Sequence, residues 1–573
     1  MIIFRLFFLS ILFFTTLSEF SKDNTTFISP VKIPLLLSAN FGELRIDHYH
    51  SGLDIKTQGA IGKEVVASAD GSIYRISVSP GGFGKALYVR HASGYSTVYG
   101  HLDRFTPAVD EYVTSQQYEK KSFLVTLFPA RDKFPVKQGE VIAYSGNSGS
   151  SAGPHLHYEI RKSENEMPVN PLKFDFGTGD NIEPIFDKLA IYPINRYSFI
   201  NGKQSIKKME VSGGHGNYYI PKENYIVISG LAGFGIKAYD LLNDSYNKCA
   251  VYSIELRIDS IPVYKYTMDE FSFNESRYIN SHIDYETYMR ENVYFERAFI
   301  LPNDKLGNYK DAVNRGIFNF RDDTTHKIQI IIEDAHFNIS TLSFNVRSKS
   351  EKPQTIERVS DKNLKIMPYN RTNRFIDENI AVTIPSGALY DTIHFIYKKN
   401  MGNSQMLSDV HEIHNKYTPV HKPIVISIKP SEIPSGKESK MMVVQLAEDL
   451  KKGALNSTWK DGYLTAEASS FGNFFIGIDT IAPAISANGL VSGADLSGKR
   501  EIRIKINDEF SGIKSYEPTI DGNWVLFEYD QKNNAIIHKF DEKRIKKNSK
   551  HSLFLKVTDN KDNVSFYSCD FIW

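Results

Sequence analysis

Gly153-Pro154-His155-Leu156-His157-Tyr158-Glu159-Ile160 is the stretch on which the reading of this chain turns. If it is extended, side chains alternate between the two faces of a sheet, so His155, His157 and Glu159 share one face. Two imidazoles on one face of a strand can hold a single ion between them. His-x-His alone is a weak signal, because the pattern also arises by chance. Glu159, on that face, could orient a ligand or pair with Arg161.

Working outward, His50-Ser51-Gly52-Leu53-Asp54 offers an imidazole and a carboxylate four positions apart. Gly52 argues against a helix, so the expectation is a loop entering a strand over Leu53 to Lys56. Imidazole and carboxylate are both good zinc ligands, and three protein ligands leave a position for water. A third element is Tyr99-Gly100-His101-Leu102, with His101 expected between the strand Ser96 to Tyr99 and a turn. Alone, His101 reads as a histidine hydrogen-bonded at a strand end. His48 reads as a surface histidine or a partner to a ligand, His91 as structural, and Arg45 as a surface ion pair or a contact for a substrate carboxylate. The glycines around Lys85 lack the Gly-Lys-Ser/Thr of a phosphate loop.

These pieces, taken in order, resemble the lysostaphin/LytM-type zinc endopeptidases. The intervening text agrees: Ala69-Asp70-Gly71, Gly82-Phe83-Gly84 before Leu87-Tyr88-Val89-Arg90-His91, Val136-Lys137-Gln138-Gly139-Glu140, and Ser145-Gly146-Asn147-Ser148-Gly149. The resemblance covers about Phe41 to Leu172. It implies that His50, Asp54 and His157 hold one Zn2+ and that His101 and His155 are the catalytic histidines. Which of the two is the general base stays open. It further implies hydrolysis of peptide cross-links in bacterial peptidoglycan through a zinc-activated water. The alternatives are a secreted protease acting on proteins, and a non-catalytic envelope scaffold or activator of wall amidases; the intact set of five residues favours an enzyme. Two departures stand out. Ser151-Ala152-Gly153-Pro154 replaces the family's Ser-Thr-Gly-Pro, and Asp103 to Pro135 form an insertion where relatives have a connection of about ten residues. The insertion starts beside His101 and is expected to form one wall of the substrate groove.

The rest of the chain sets the frame. A length of 573 residues calls for about three to five domains. The 68 basic and 67 acidic residues nearly cancel, so there is no electrostatic case for nucleic acid. Arg5, the apolar run Leu6 to Phe14 broken only by Ser10, and Thr16-Leu17-Ser18 read as a signal peptide cleaved near Ser18. Its core is shorter than the ~20 residues of a span, and no later stretch could cross a bilayer. A secreted protein of the periplasm or cell envelope is therefore expected. The two cysteines, Cys249 and Cys569, exclude a thiolate zinc cluster and leave a disulfide open.

Beyond Pro184 the sequence is strand-like almost throughout. Ile328 to Asp334, followed by Asn338 and Ser340, matches Leu553 to Asp559, followed by Asn563 and Ser565. Each copy reads as a hairpin resembling the closing hairpin of bacterial immunoglobulin-like domains. Arg347 to Pro353 and Asp479 to Pro483 read as linkers, and Val382 to Leu389 opens a further all-β unit. The fold expected is mainly β: an antiparallel β-sheet metallopeptidase domain followed by several β-sandwich domains. The boundaries are a signal peptide over 1–18, a lysostaphin-type zinc peptidase domain over 19–185, a β-sandwich over 186–350, a β-rich domain over 351–478 and an immunoglobulin-like β-sandwich over 479–573. The C-terminal β domains are expected to act as a spacer or to bind the wall or an envelope protein.

Overall fold

A computed structural model of the chain describes residues 26–177, 179–221, 226–350, 365–446 and 452–573. The expected signal peptide lies outside the described residues. Among them, no helix is long and apolar enough to cross a membrane.

The first unit is an 11-stranded antiparallel sheet. Its strands are β1 (Leu37–Ala39), β4 (Leu53–Lys56), β5 (Glu64–Val66), β6 (Gly71–Val78), β7 (Lys85–His91), β8 (Tyr95–Phe105), β9 (Val125–Leu127), β10 (Pro135–Val136), β11 (Val141–Ser145), β12 (His155–Lys162) and β13 (Pro168–Val169), while β2 (Leu44–Arg45) and β3 (His48–Tyr49) form a separate hairpin. The spatial order β1-β4-β12-β8-β7-β6-β10 puts β12 between β4 and β8. Register then does the positioning: His157 lies opposite Asp54 on one side and opposite Gly100 on the other. The intervening Leu156, Tyr158 and Ile160 are fully buried on the far face, with Leu53, Ile55, Val65 and Val89 in the same core. That apolar face fixes the register, since a one-residue slip would turn the histidines into the core.

The expected turn after His101 is absent. β8 runs on to Phe105, and His101 sits inside it with φ 58°, where the pairing of β8 with β11 and with β7 shifts register. The shift rotates the imidazole toward β12, as bulges beside functional sites do. The insertion after β8 forms the helix α1 (Pro107–Lys120) and the strand β9, which pairs with β6. Val109, Val113 and Gln117 bury α1 against the sheet.

Three further β units follow. Residues 185–348 form one 14-stranded sheet, carried by the 15-residue strand Val227–Leu241 and closed by the hairpin Thr325–Glu333/Ile339–Ser348. The strand to Ser348 occupies the start of the linker expected from Arg347. Residues 373–478 form two five-stranded sheets whose inner faces share one core, including Val382, Ile426, Val443 and Ile476. Residues 484–572 form a four-stranded and a five-stranded sheet around Ile504, Ile536, Leu555 and Phe571, ending in the second hairpin. Cys249 and Cys569 are buried free thiols in different sheets and do not pair. Burial pushes the Cys249 thiol up to about 12.

The first unit is joined to others at two places. Phe41 and Tyr49 belong to the core of the 14-stranded sheet. The Asn40 side chain clasps the backbone of Ala250 through two hydrogen bonds of 2.8 Å, and the Tyr49 N–H donates to Ser276 Oγ at 2.9 Å. On the other side, the last β unit leans on the insertion: Trp524 meets Tyr118 edge-on with ring centroids 5.2 Å apart, and the Arg544 guanidinium lies 3.5 Å above the Tyr118 ring. An aromatic pair and a cation–π contact are each worth about 1 kcal/mol. Tyr118→Ala should therefore weaken this docking by about 2 kcal/mol, seen as faster amide hydrogen exchange over residues 524–533 with exchange in β12 unchanged.

Candidate active site

Four imidazoles and one carboxylate converge at the β4–β12–β8 junction. His50 Nε2, His157 Nδ1 and Asp54 Oδ1 lie 2.9–3.1 Å from one another. All three side chains are buried. Each far nitrogen is committed as a donor. His50 Nδ1 donates to the Asn40 carbonyl at 2.7 Å and His157 Nε2 to Glu159 Oε1 at 2.8 Å. His50 Nε2 and His157 Nδ1 are thereby turned on Asp54 as lone pairs, which only a proton or a cation can reconcile. Donor atoms around a tetrahedral zinc sit about 3.4 Å apart for bonds of 2.0–2.1 Å, so these three residues fit that ion with little movement.

The other two histidines line the same point. His155 Nδ1 donates to the Gly153 carbonyl at 2.9 Å, and its Nε2 lies 3.4 Å from Asp54 Oδ1. His101 Nδ1 donates to the Ser148 carbonyl at 2.9 Å, and its ring centroid is 4.7 Å from that of His155. Each thus keeps Nε2 as an acceptor beside the convergence point. The five residues expected from the sequence are therefore together.

The electrostatics follow from burial and neighbours. Burial opposes the Asp54 charge, but the surrounding imidazoles hold its carboxyl far below the usual range. Burial lowers His157, yet Asp54 and Glu159 on its two nitrogens outweigh that and lift it to about 9. Glu159 is fully buried, and the Arg161 charge and His157 overcome the burial to bring it to about 2. Burial, then the nearby His157 and His155, drops His101 to about 3, so it stays neutral across the physiological range.

Several contributors carry no local sequence signal. Arg45 Nη2 grips Asp54 Oδ2 at 2.7 Å, so this ion pair anchors a site residue rather than decorating the surface. Burial pushes the neighbouring Glu43 up to about 7. Phe83 stacks on His157 with centroids 4.7 Å apart. Ser151 Oγ lies 3.1 Å from His155 Nδ1, and Ser51 Oγ donates to Glu159. Glu159 itself carries both expected roles, holding His157 and pairing with Arg161. His48 is exposed against the Ile46 carbonyl, while His91 is buried between the Asp70 carbonyl and Thr97.

The last β unit leans on the loop that leads into His155. Lys532 Nζ donates to the carbonyls of Asn147 and Ser151, the latter at 2.9 Å, and Lys85 Nζ bridges the Asp103 carbonyl and Glu528, each at 3.2 Å. Between them lies a cleft of about 380 Å³, bordered by Leu102, Asp103, Phe123, Ser148, Glu528 and Lys532. The insertion lines this cleft through Asp103 and Phe123, while none of the five site residues does, and its helix serves as a seat for the C-terminal unit.

An antiparallel sheet presenting two imidazoles and a carboxylate to one point, with two further imidazoles alongside, is the framework of a metallopeptidase. Residues 48–118 and 127–171 match peptidase family M23, and this part of the chain is an M23 peptidase domain. Residues 364–479 match the Zu5-like domain. Among curated relatives, the DD-carboxypeptidase/endopeptidase Mpg of Neisseria meningitidis is 37% identical over 123 residues, 22% of this chain and 22% of its own length. The peptidoglycan DD-endopeptidase ShyB of Vibrio cholerae is 32% identical over 126 residues, 22% of this chain and 23% of its own. The murein hydrolase activator NlpD of Escherichia coli is 29% identical over 125 residues, 22% of this chain and 26% of its own. The chain thus spans about a quarter or less of the length of each.

Two outcomes follow from the ligand environment. Because His157 is an imidazolium in the metal-free protein at pH 7, zinc uptake should release about one proton per ion, measurable by calorimetry in buffers of different ionisation enthalpy. Glu159→Gln should weaken zinc binding about 10–100-fold, read by competition with a chromophoric chelator on protein shown to be folded by circular dichroism.

Proposed function

We propose that the chain is a zinc-dependent endopeptidase of the bacterial envelope that hydrolyses peptide cross-links of peptidoglycan. The observation carrying this reading is the convergence of His50 Nε2, Asp54 Oδ1 and His157 Nδ1 on one point, with His101 and His155 beside it. The three would hold the zinc, which, when bound, polarises a carbonyl and lowers the pKa of water toward about 7.

The chain's own groups do the rest. One of the two free Nε2 atoms, on His155 or His101, takes a proton from the attacking water and returns it to the leaving amine. The other, whose Nδ1–H is already given to a backbone carbonyl, would donate a hydrogen bond to the developing oxyanion through Nε2 once it carries a proton there as an imidazolium. Anchored Nδ1–H groups hold both rings in that orientation without reorganisation during the reaction. Arg45, 2.7 Å from Asp54 Oδ2, keeps the carboxylate aimed. The similarity to the peptidoglycan DD-endopeptidase ShyB supports the substrate class, and the leader-like N-terminus supports export. The C-terminal β domains, the last of them read as immunoglobulin-like, would place the enzyme on the wall or on an envelope partner.

A second reading, a non-catalytic activator of wall hydrolases, is favoured by the similarity to NlpD. The two separate on turnover. The mature protein should release cross-link-derived muropeptides with new amine termini from purified peptidoglycan, identified by mass spectrometry. Chelator should abolish the release and zinc restore it, while Asp54→Ala abolishes it and His155→Ala lowers it at least 100-fold. Casein should stay intact. Absence of zinc-dependent cleavage from wall material would favour the activator, and casein cleavage a protein-directed protease.

A further inference from the structure

Two clusters of acidic side chains away from the peptidase site are built to one plan. In the first, Asp180, Asp334 and His336 bring donor atoms within 4.8 Å of one another, and Asp240 faces Asp334 and Asp180 from the strand Val227–Leu241. In the second, Asp479, Asp508 and Asp559 bring theirs within the same distance. Asn338 Nδ2 donates to the Asp180 carbonyl at 3.2 Å and to Asp334 Oδ2 at 2.7 Å; Asn563 Nδ2 repeats this with the Asp479 carbonyl at 3.2 Å and Asp559 Oδ2 at 2.7 Å. Ser340 Oγ donates to the Pro184 carbonyl at 2.5 Å, and Ser565 Oγ to the Pro483 carbonyl at 2.6 Å. Asp240 follows Ile236-Lys237 as Asp508 follows Ile504-Lys505. The chain therefore makes this arrangement twice, each time where it leaves one domain and enters the next.

A second observation is independent of that plan. Among the described residues, the buried carboxylate oxygens without a hydrogen-bond partner are Asp180 Oδ2, Asp240 Oδ1 and Asp479 Oδ2, and all three lie in these two clusters. Asp240 and Asp479 are each only 2% exposed. A buried, unpaired carboxylate is among the costliest features a fold can carry, and buried charges are paired or coordinate metals. In the second cluster the Lys561 ammonium feels the charges of Asp479 and Asp559, but its hydrogen bond goes to the Met441 carbonyl at 2.8 Å and leaves Asp479 Oδ2 without a hydrogen-bond partner. Burial, with the charges of Asp334 and Asp180 adding to it, pushes the Asp240 carboxyl up to about 8, as expected where like charges face each other uncompensated.

The donors common to both clusters are carboxylate oxygens. His336 in the first corresponds to Lys561 in the second, so an imidazole is no part of the shared set. Oxygen-only sets select hard cations over zinc or copper, and loosely arranged carboxylates suit calcium better than magnesium, which demands a near-ideal octahedron. We propose that each cluster binds one hard divalent cation of the calcium class, fastening the interdomain segment at Asp180 or Asp479 onto the β unit that follows it.

Calorimetric titration of CaCl2 into the zinc-loaded full-length protein should show two equivalents. Asp240→Asn should lose one equivalent and Asp479→Asn the other. In thermal unfolding, calcium should raise the midpoint of the wild type, and in chelator-free buffer each variant should lose part of that rise while retaining its fold without calcium, since each substitution removes a repelling charge. Absence of saturable calcium binding to the wild type at millimolar concentration would overturn the proposal, whatever the variants do. So would two equivalents persisting in the double variant, or binding of added zinc but not calcium at the residues substituted.

Discussion

Asp54 Oδ1 is the atom around which the first domain is organised. It lies 3.0 Å from His50 Nε2 and 2.9 Å from His157 Nδ1, and neither nitrogen can turn away, because the opposite side of each ring is held by the Asn40 carbonyl or by Glu159. Two imidazole nitrogens and a carboxylate oxygen forced together in a buried spot are tolerable only with positive charge, a proton or a cation, between them. The sheet supplies the force. With Leu156, Tyr158 and Ile160 sealed in the core, β12 cannot slide, and His157 must stay opposite Asp54. A stretch of apolar packing on one face thus determines the chemistry on the other.

The same dependence on pairing explains how much of the molecule is legible in its sequence. The shared face of His155 and His157 follows from strand periodicity, and the alternating runs beyond Pro184 announce β domains in the same way. The five site residues become a set only through resemblance, since the pairing of Asp54 with His157 depends on a strand register that local sequence does not encode. His101 shows the limit well. Its strand is legible, but the shift that gives it φ 58° arises from unequal pairing with β7 and β11. Arg45, Phe83 and Ser151 act through contacts across the fold, and their spacing in the chain carries no trace of it. The 14-stranded sheet of residues 185–348 is likewise hidden, because it depends on how far the single strand Val227–Leu241 extends.

The cleft between Asp103, Phe123 and Lys532 belongs to two domains far apart in sequence. Lys532 reaches the backbone at Asn147 and Ser151, on the loop that leads into His155, and Glu528 is tied to Lys85 on β7. A domain more than 300 residues downstream therefore has a direct hold on the segment that carries a catalytic candidate. Whatever displaces the last β unit changes both the width of that cleft and the support of that loop.

Asn40 has one more implication. Its carbonyl fixes the ring of His50, while its side chain is locked to Ala250 in the neighbouring sheet, and Phe41 and Tyr49 are embedded in that sheet's core. The first domain is thus not a self-sufficient cassette. Grafted onto another scaffold without its neighbour, it would bare two large aromatic rings and lose the brace behind one imidazole. The smallest portable unit is the pair.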